Sequence, residues 1–398
     1  MADRPIPQLQ NKTPLEYAYK PNMDFLASHG CVGCAKTIPD GMTPGSDTAN
    51  LAVMGYDPKK YYSGRSPLEA VSMGISLEND DVTFRCNLVT VSDEENLEDA
   101  TMIDYSSDEI TTPESTELIN FLAKEFNSDT CALYPGISYR HCFVLKHALT
   151  GTVLTPPHDI LEKPVRSHLP SGRYGDLLLD IMKRSRVLLE DHPVNKDRIA
   201  RGLRPANCCW FWGEGVKPKL DSFYSLYHAK GGVISAVDLI KGIGKCAGLE
   251  VAEVPGATGT LASNYKGKAS AAIDLFSKGC DMVYVHMEAP DEYGHRGEYE
   301  NKVKAIEVID KDVVGPILKE LRKSGEDFSV LLMPDHPTPI EIRTHCSDKV
   351  PFVLYRSGRR SSLSTPRYTE SLAETTGLYV PDASILMSAL MGKTELYR

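Results

Sequence analysis

The feature that most constrains the fold is a series of short apolar runs in the C-terminal half of the chain. The runs are GGVISAV (231–237), LEVAEVP (249–255), DMVYVHM (281–287), SVLLMP (329–334) and PFVLY (351–355). Strands covered on both faces are continuously apolar, whereas segments 268–278 and 300–323 have the three- and four-residue spacing of helices. This alternation predicts βαβ units, so we expect an α/β fold with a mostly parallel sheet and helices on both faces.

The middle of the chain has a different pattern. DVTFRCNLVTVSD (81–93), TMIDYSS (101–107) and ALYPGISYRHCFVLKH (132–147) predict strands, and 114–126 and 174–191 predict helices. Prolines and glycines concentrate near 57–67 and 203–218, which is typical of domain junctions. We therefore predict an inserted α+β domain of residues 60–215 and a larger domain formed by residues 1–59 and 216–398.

Composition excludes several classes of partner. The 398 residues are 41% hydrophobic and 25% charged, and a net charge of −10 provides no basic surface for nucleic acid. No stretch approaches the roughly 20 apolar residues of a membrane span, and the first residues lack a signal-peptide core. We expect a cytoplasmic protein without a membrane partner, whose ten cysteines are reduced and whose CVGC pair, Cys31 and Cys34, consists of buried thiols rather than zinc ligands.

Acidic and imidazole side chains follow the apolar runs. Asp335 and His336 come directly after SVLLMP, Asp291 and His295 follow DMVYVHM, and His345 lies ahead of PFVLY. Because ligands of open α/β sheets bind at the carboxyl ends of strands, we expect these side chains to gather at one edge. Carboxylates and imidazoles suit first-row divalent ions, so the pattern predicts metal sites, although any one pair alone is more often a cap or a surface histidine.

A serine precedes a predicted helix in IPDGMTPGSDTANLAVMGYDP (38–58). Ser46 follows Pro44 and Gly45, where backbone N–H groups and the helix dipole favour an anion. Such a serine is often only an N-cap. If it also binds a metal, its hydroxyl is acidified and becomes a nucleophile towards phosphorus.

Together, PDGMTPGSDTANLAVMGYDP, GRSPLEA, APDEYGHRGE and PDHPTP resemble signatures of the cofactor-independent phosphoglycerate mutases, in the archaeal-type branch of the alkaline phosphatase superfamily. The resemblance implies an alkaline-phosphatase-like fold and an isomerase of glycolysis and gluconeogenesis. It would move phosphate between O3 and O2 of glycerate through a phosphoserine at Ser46, without 2,3-bisphosphoglycerate. It also implies two divalent ions, manganese or alternatively zinc, magnesium or cobalt. The ligands would be Asp291, His295 and His345 for one ion, and Asp335, His336 and Ser46 for the other.

The inserted domain of such enzymes binds the substrate's anionic groups with arginines. In this chain the candidates are Arg65, Arg85 and Arg140, together with the pair His158 and Asp159 for proton transfer. For any single one of these residues, a surface ion pair of the insert is an equally good interpretation. The family also places a lysine near the serine, and Lys266 and Lys268 both fit.

The chain departs from the family at its start. Members of the family open with an apolar strand that ends in Asp-Gly, and this Asp is a metal ligand. The present chain opens with MADRPIPQLQNKTPLEYA, which resembles the segment that comes after the Asp-Gly in those members. We therefore expect the first strand and one ligand to be missing from residues 1–398, through a late start or in a fragment with impaired metal binding. The alternatives to a mutase are a phosphatase, a homoserine-kinase-like phosphoryl transferase, or a metal-impaired non-enzyme.

Overall fold

A computed structural model describes residues 1–396, which divide into two compact units. Unit 1 comprises Met1–Tyr62 with residues 220–396, and unit 2 comprises Ser63–Lys219. The sequence placed these two junctions near residues 60 and 215.

The strands in chain order are β1 Cys31–Ala35, β2 Val82–Val91, β3 Met102–Asp104, β4 Cys131–Tyr134, β5 Arg140–Leu145, β6 Thr152–Val153, β7 Ser171–Gly172, β8 Cys208–Val216, β9 Gly231–Ile234, β10 Glu250–Ala252, β11 Met282–Val285, β12 Ser329–Leu332, β13 Val350–Arg356 and β14 Tyr379–Val380. The α-helices are α1 Pro14–Tyr17, α2 Pro21–His29, α3 Ser46–Val53, α4 Pro58–Tyr61, α5 Ser66–Ser72, α6 Thr112–Phe126, α7 Gly175–Glu190, α8 Pro193–Ala200, α9 Phe223–Tyr227, α10 Asp238–Cys246, α11 Tyr265–Ser277, α12 Ala289–Arg296, α13 Tyr299–Ile309, α14 Gly315–Ser324, α15 Glu370–Thr375 and α16 Ile385–Leu390.

The strands of unit 1 form two small sheets. One has the order β10-β9-β11 with all strands parallel, and the other has the order β12-β13-β1-β14. Within the second sheet β1 is parallel to β14, while β13 is antiparallel to both of its neighbours. β1 contains the CVGC sequence, and Cys31 and Cys34 are buried free thiols, as predicted. All ten cysteines are free.

Strands β11 and β12 each have one unpaired edge. Within residues 1–396, β11 pairs only with β9 and β12 pairs only with β13. A cavity of about 1040 Å³ is lined by both strands, by helix α14 and by Met1. Although both strands are apolar, most of their residues are only half-buried, because no strand covers these two edges.

Helices of unit 1 follow the predicted pattern with one local change. The predicted helix 300–323 forms as α13 and α14, joined by a π-helical turn at Asp310–Val314. Asp310 accepts hydrogen bonds from the backbone of Met23 and from Asn22, which anchors this turn to α2. No helix in the described part of the chain is long and apolar enough to cross a bilayer.

A buried ion pair joins the first residues of the chain to helix α13 and to the loop that follows β12. Lys302 donates to Asp3 at 2.6 Å, and neither side chain is more than 1% exposed. The same ammonium donates to the carbonyl of Thr338 at 2.7 Å, and the Asp3 carboxylate accepts from the backbone of Ile340. Because a buried charge requires partners on every side, this network holds residues 338–340 in place.

Unit 2 is an antiparallel sheet covered by helices α6 and α7. Its ten-residue central strand β2 is buried throughout and pairs with β5, β8 and, at its end, β3. The core contains aromatic side chains of β2, β5 and β8, including Phe84, Phe143 and Trp210. The unit is thus a compact α+β structure with a hydrophobic core of its own.

Candidate active site

The ligand-type residues of unit 1 lie just after the carboxyl ends of β11 and β12. β12 ends at Leu332, and the chain then leads through Pro334 to Asp335 and His336. β11 is followed by α12, where Asp291 and His295 are four residues apart and therefore share one helical face. Strand ends and one short helix thus direct these side chains to a common location.

Asp291, His295 and His345 form a tight group. The Nε2 atoms of the two histidines lie 3.0 Å apart, and each is within 3.4 Å of an Asp291 carboxylate oxygen. The Asp291 carboxylate raises the pKa of His295 to about 9, and these imidazoles hold the pKa of Asp291 well below its usual value despite burial. The position therefore favours a positive charge.

Hydrogen bonds fix which nitrogen of each imidazole faces the cluster. His295 places Nδ1 3.0 Å from the carbonyl of Arg343, so that nitrogen carries the proton. His336 places Nδ1 3.3 Å from Thr338 Oγ1, and the Thr338 hydroxyl itself donates to Asp291. In both histidines Nε2 is left facing the other site residues, which is the arrangement that metal-binding histidines use.

Ser46 is the first residue of α3. Its Oγ lies 3.0 Å from His336 Nε2, and burial lowers the pKa of His336, which favours a neutral imidazole that accepts a hydrogen bond from the hydroxyl. One turn along the helix, Asn50 donates to the Ser46 carbonyl and to Asp335 Oδ2, both at 2.8 Å. Asn50 thereby ties the serine to the carboxylate.

Asp335 lies in a buried polar environment. Its Oδ2 is 3.5 Å from His336 Nε2 and 3.8 Å from His286 Nε2, and these imidazoles hold its pKa far below normal although burial opposes this. The Tyr284 hydroxyl donates to Asn50 at 2.5 Å and so orients the amide. The carboxylate is therefore ionised and fixed in place.

These residues fit divalent metal ions. The first group offers one carboxylate and two imidazole Nε2 atoms within 4.8 Å of one another, which is the ligand set of first-row ions. The second set is smaller, because it consists of Asp335, His336 and the Ser46 hydroxyl. The sets adjoin, since His336 Nδ1 lies 3.9 Å from Asp291 and the His336 and His345 rings are 4.0 Å apart.

Of the two candidate lysines, only Lys268 is buried. It donates to the carbonyl of His286 at 3.0 Å, and burial lowers its pKa to about 8. Lys266, two residues earlier on α11, is exposed. The structure therefore places Lys268, and not Lys266, beside the residues around Asp335.

Unit 2 brings together the arginines predicted to bind substrate. Arg65 and Arg85 share the carboxylate of Glu69, each through Nε at 2.8 Å. Arg140 is exposed on β5 but close enough to lower the pKa of Arg85, which burial and its neighbours bring to about 10. Unit 2 therefore places three arginine side chains and one carboxylate in a single cluster.

The predicted pair His158 and Asp159 belongs to the same part of unit 2. His158 Nε2 is 3.7 Å from Asp159, and its ring meets Trp212 edge-on at 5.1 Å. Burial and the positive charges of Arg85 and Arg65 lower the pKa of His158, against the attraction of Asp159. A neutral imidazole is thus favoured near the arginines.

A family comparison agrees with the residue pattern. The model of the 2,3-bisphosphoglycerate-independent phosphoglycerate mutases matches residues 27–195. A Methanosarcina barkeri protein of that name is 50% identical over 392 residues, which cover 98% of this chain and 97% of the relative. The chain belongs to this family. A Geobacter sulfurreducens protein named as a probable member is 44% identical over 99% of this chain and 98% of its own length.

Solved structures of similar proteins have the same fold. A Pyrococcus horikoshii protein superposes with a TM-score of 0.82 at 29% identity, covering all of this chain and 96% of that one. The cofactor-independent phosphoglycerate mutase of Thermoplasma acidophilum gives a TM-score of 0.65 at 26% identity, covering 98% and 96% of the two chains. The predicted family and the predicted α/β fold are both confirmed.

Several residues that contact the predicted site residues, in unit 1 and separately in unit 2, were missed by sequence reasoning. Asn50 could have been found, because it lies four residues after Ser46 and therefore on the same helical face. Thr338 stands two residues after His336, but nothing in the sequence indicates that its hydroxyl joins that imidazole to Asp291. Trp212 lies far from Arg85 in sequence and meets it through the pairing of β2 with β8, whereas Glu69 meets Arg85 because helix α5 packs against β2.

Proposed function

We propose that this chain interconverts 3-phosphoglycerate and 2-phosphoglycerate without 2,3-bisphosphoglycerate, using Ser46 as the phosphoryl acceptor. The observation that carries the proposal is the position of Ser46. Its hydroxyl stands at a helix start, within 3.0 Å of His336, in the same cluster as two carboxylates and two further imidazoles. Membership of the mutase family agrees with this substrate.

The reaction is balanced by two displacements. Ser46 Oγ loses its proton and attacks phosphorus, the bond to O3 of glycerate breaks, and O3 takes a proton as it leaves. The O2 hydroxyl of the same glycerate then loses its proton and attacks the phosphoserine, the bond from phosphorus to Ser46 Oγ breaks, and Oγ takes a proton, which restores Ser46 and forms 2-phosphoglycerate. No phosphate is released, because the acceptor and the donor are parts of one molecule.

The chain's own groups prepare this serine. Asn50 holds the Ser46 carbonyl and the Asp335 carboxylate in register, and the first turn of α3 presents its N–H groups towards an incoming anion. Divalent ions, when bound, neutralise the transferring group and lower the pKa of the serine hydroxyl. We assign Asp291, His295 and His345 to one ion, and Ser46, Asp335 and His336 to the other, with manganese the favoured metal and zinc, magnesium or cobalt the alternatives.

Substrate recognition falls to unit 2 in this proposal. Arg65, Arg85 and Arg140 provide planar, permanently charged donors for the phosphate and carboxylate of phosphoglycerate. His158 and Asp159 are proposed to exchange the proton of the glycerate hydroxyl, which suits an imidazole that is neutral at physiological pH.

The metal assignment predicts a change in stoichiometry. We expect His345→Ala to lose about one of two bound Mn²⁺ ions per chain, because it removes one of the three ligands of the first group. Metal content of the dialysed protein, measured by mass spectrometry, tests this without reference to turnover. His147→Ala is the matched control, since His147 also stands beside two carboxylates, Asp80 and Asp81, but is exposed. Equal metal loss in both variants, or none in His345→Ala, would contradict the assignment.

A coupled assay for 2-phosphoglycerate formed from 3-phosphoglycerate tests the function itself. With Mn²⁺ and no 2,3-bisphosphoglycerate, we expect turnover with less than about 1% of the phosphate released, because phosphoserine must react with glycerate rather than water. Stoichiometric release of inorganic phosphate would instead indicate a phosphatase. Transfer to homoserine from a nucleotide, without mutase turnover, would indicate a kinase-like enzyme.

A further inference from the structure

Glu69 is a buried carboxylate in the middle of the arginine cluster of unit 2. It lies on α5, and its two oxygens meet Arg65 Nε and Arg85 Nε, both at 2.8 Å. Although burial alone would raise the pKa of Glu69, the two guanidinium groups lower it, so the group is ionised. Its negative charge repels any anion that the arginines bind. Glu69 therefore cannot contribute to binding by attracting the anion.

Trp212 covers the flat face of the same arginine. Its ring lies 4.0 Å from the Arg85 guanidinium carbon, a cation–π contact across the paired strands β2 and β8. The ring is itself fixed, because Trp212 Nε1 donates to Asn87 Oδ1 at 2.9 Å and Asn87 donates to the carbonyl of Tyr105. Arg85 is therefore restrained at its Nε edge and on its face.

Neither of these two contacts involves the terminal nitrogens of Arg85, although the side chain as a whole is only 9% exposed. Within residues 1–396, the structure gives the terminal nitrogens of Arg85 no hydrogen bond to the protein. Those nitrogens form the planar pair that binds two oxygens of a carboxylate or phosphate. A flexible arginine would lose side-chain entropy on binding an anion, whereas one that is already fixed does not.

We propose that Glu69 and Trp212 are positioning residues, which hold the Arg85 guanidinium by its edge and face so that its terminal N–H groups meet two oxygens of the bound substrate. This inference rests on the proposed function for the identity of the substrate. The substrate group that Arg85 binds is an anion that presents two oxygens in one plane, and it is either the carboxylate or the phosphate of phosphoglycerate.

A double-mutant cycle on the metal-loaded protein tests the role. We expect Glu69→Gln and Trp212→Leu each to raise the KM for 3-phosphoglycerate roughly tenfold, the scale of one charge-assisted hydrogen bond, with kcat changed less than about twofold. In an Arg85→Ala background both effects on KM should be much smaller than in the wild-type background, leaving only the part that acts through Arg65 beside Glu69 or through His158 beside Trp212. Trp212→Phe, which keeps an aromatic face, should retain most of the affinity.

The sign of the Glu69→Gln effect is decisive. Removing a negative charge from an anion site strengthens attraction at a distance, so a purely electrostatic role predicts a lower KM. A lower KM, or effects that multiply in the Arg85→Ala background, would overturn the positioning role.

A matched control separates positioning from stability. Glu114 also joins two arginines in unit 2, Arg198 and Arg201, and its side chain is 17% exposed against 18% for Glu69. Glu114→Gln should lower the melting temperature of the protein and leave KM unchanged. If Glu114→Gln raises KM as much as Glu69→Gln does, the effect is structural and the inference fails.

Binding measurements distinguish failure of this inference from failure of the proposed function. Calorimetry of wild-type protein with 3-phosphoglycerate tests the substrate, and the difference in inorganic phosphate binding between wild-type and Arg85→Ala protein tests the Arg85 site. If wild-type protein binds phosphate but not phosphoglycerate, the proposed substrate is wrong, and weaker phosphate binding by Glu69→Gln still supports positioning. If neither ligand binds more weakly to Glu69→Gln, the positioning role is wrong.

Discussion

The Ser46→Ala protein is expected to form 2-phosphoglycerate at a rate reduced by roughly 10⁴-fold or more, the order found when an enzyme loses its covalent nucleophile. The reason is chemical rather than structural. Without Oγ no phosphoserine can form, and direct transfer from O3 to O2 of one glycerate lacks the in-line geometry that displacement at phosphorus requires. The coupled assay with Mn²⁺ measures this loss.

A second serine at a helix start provides the control. Ser222 precedes α9 in unit 1, and its Oγ accepts a hydrogen bond from the backbone of Ser225 at 3.1 Å. Ser222→Ala should cost about 1 kcal/mol of stability through loss of this cap, while turnover stays close to wild type. Wild-type protein incubated with 3-phosphoglycerate and quenched in acid should carry phosphate on Ser46. Retention of turnover by Ser46→Ala would exclude the phosphoserine route.

Much of the fold of unit 1 could be predicted because its strands are apolar and its helices amphipathic. The runs at 281–287 and 329–334 form β11 and β12, and the acidic and imidazole residues that follow them do meet in space. The prediction succeeded because a residue that directly follows a buried strand lies close to the carboxyl end of that strand. The chemical type of the site thus follows from local order along the chain.

Other features depend on contacts that local sequence does not encode. β1 was not predicted as a strand, since CVGCA is short and contains a glycine, and it becomes one by pairing with β13 and β14. The π-helical turn within 300–323 arises where Asp310 bonds to α2. Burial of Lys268 rather than Lys266, and of Glu69 between arginines, follows from which helical face meets the sheet.

The unpaired edges of β11 and β12 lead to the prediction with the largest expected effect on stability. We expect a chain extended before Met1 by an apolar strand of about five residues and an Asp-Gly to melt roughly 10 °C higher than residues 1–398. Each large apolar side chain that becomes buried contributes about 1.5–3 kcal/mol, against about 1–2 kcal/mol per residue for ordering the backbone. The added strand would also cover the half-buried residues of β11 and β12, and it would pair with both edges.

The direction of the two edges determines what else the extension should do. His286 follows β11, Asp335 follows β12, and these residues are 3.8 Å apart, so both strands end at the same side of the cavity. A strand parallel to both would deliver its final carboxylate beside Asp335, where it would complete the smaller ligand set.

Three extensions of equal length separate the effect on stability from the effect on metal binding. They are an apolar strand with Asp-Gly, the same strand with Asn-Gly, and a Gly-Ser segment. Both apolar extensions should raise the melting temperature, but only the Asp-Gly form should tighten binding of a second Mn²⁺ and increase mutase turnover, because metal ligation requires the carboxylate whereas strand pairing does not. If the Gly-Ser segment stabilises the protein equally, the cavity does not accept a strand. If Asp-Gly and Asn-Gly bind metal equally well, the second set does not require a further carboxylate.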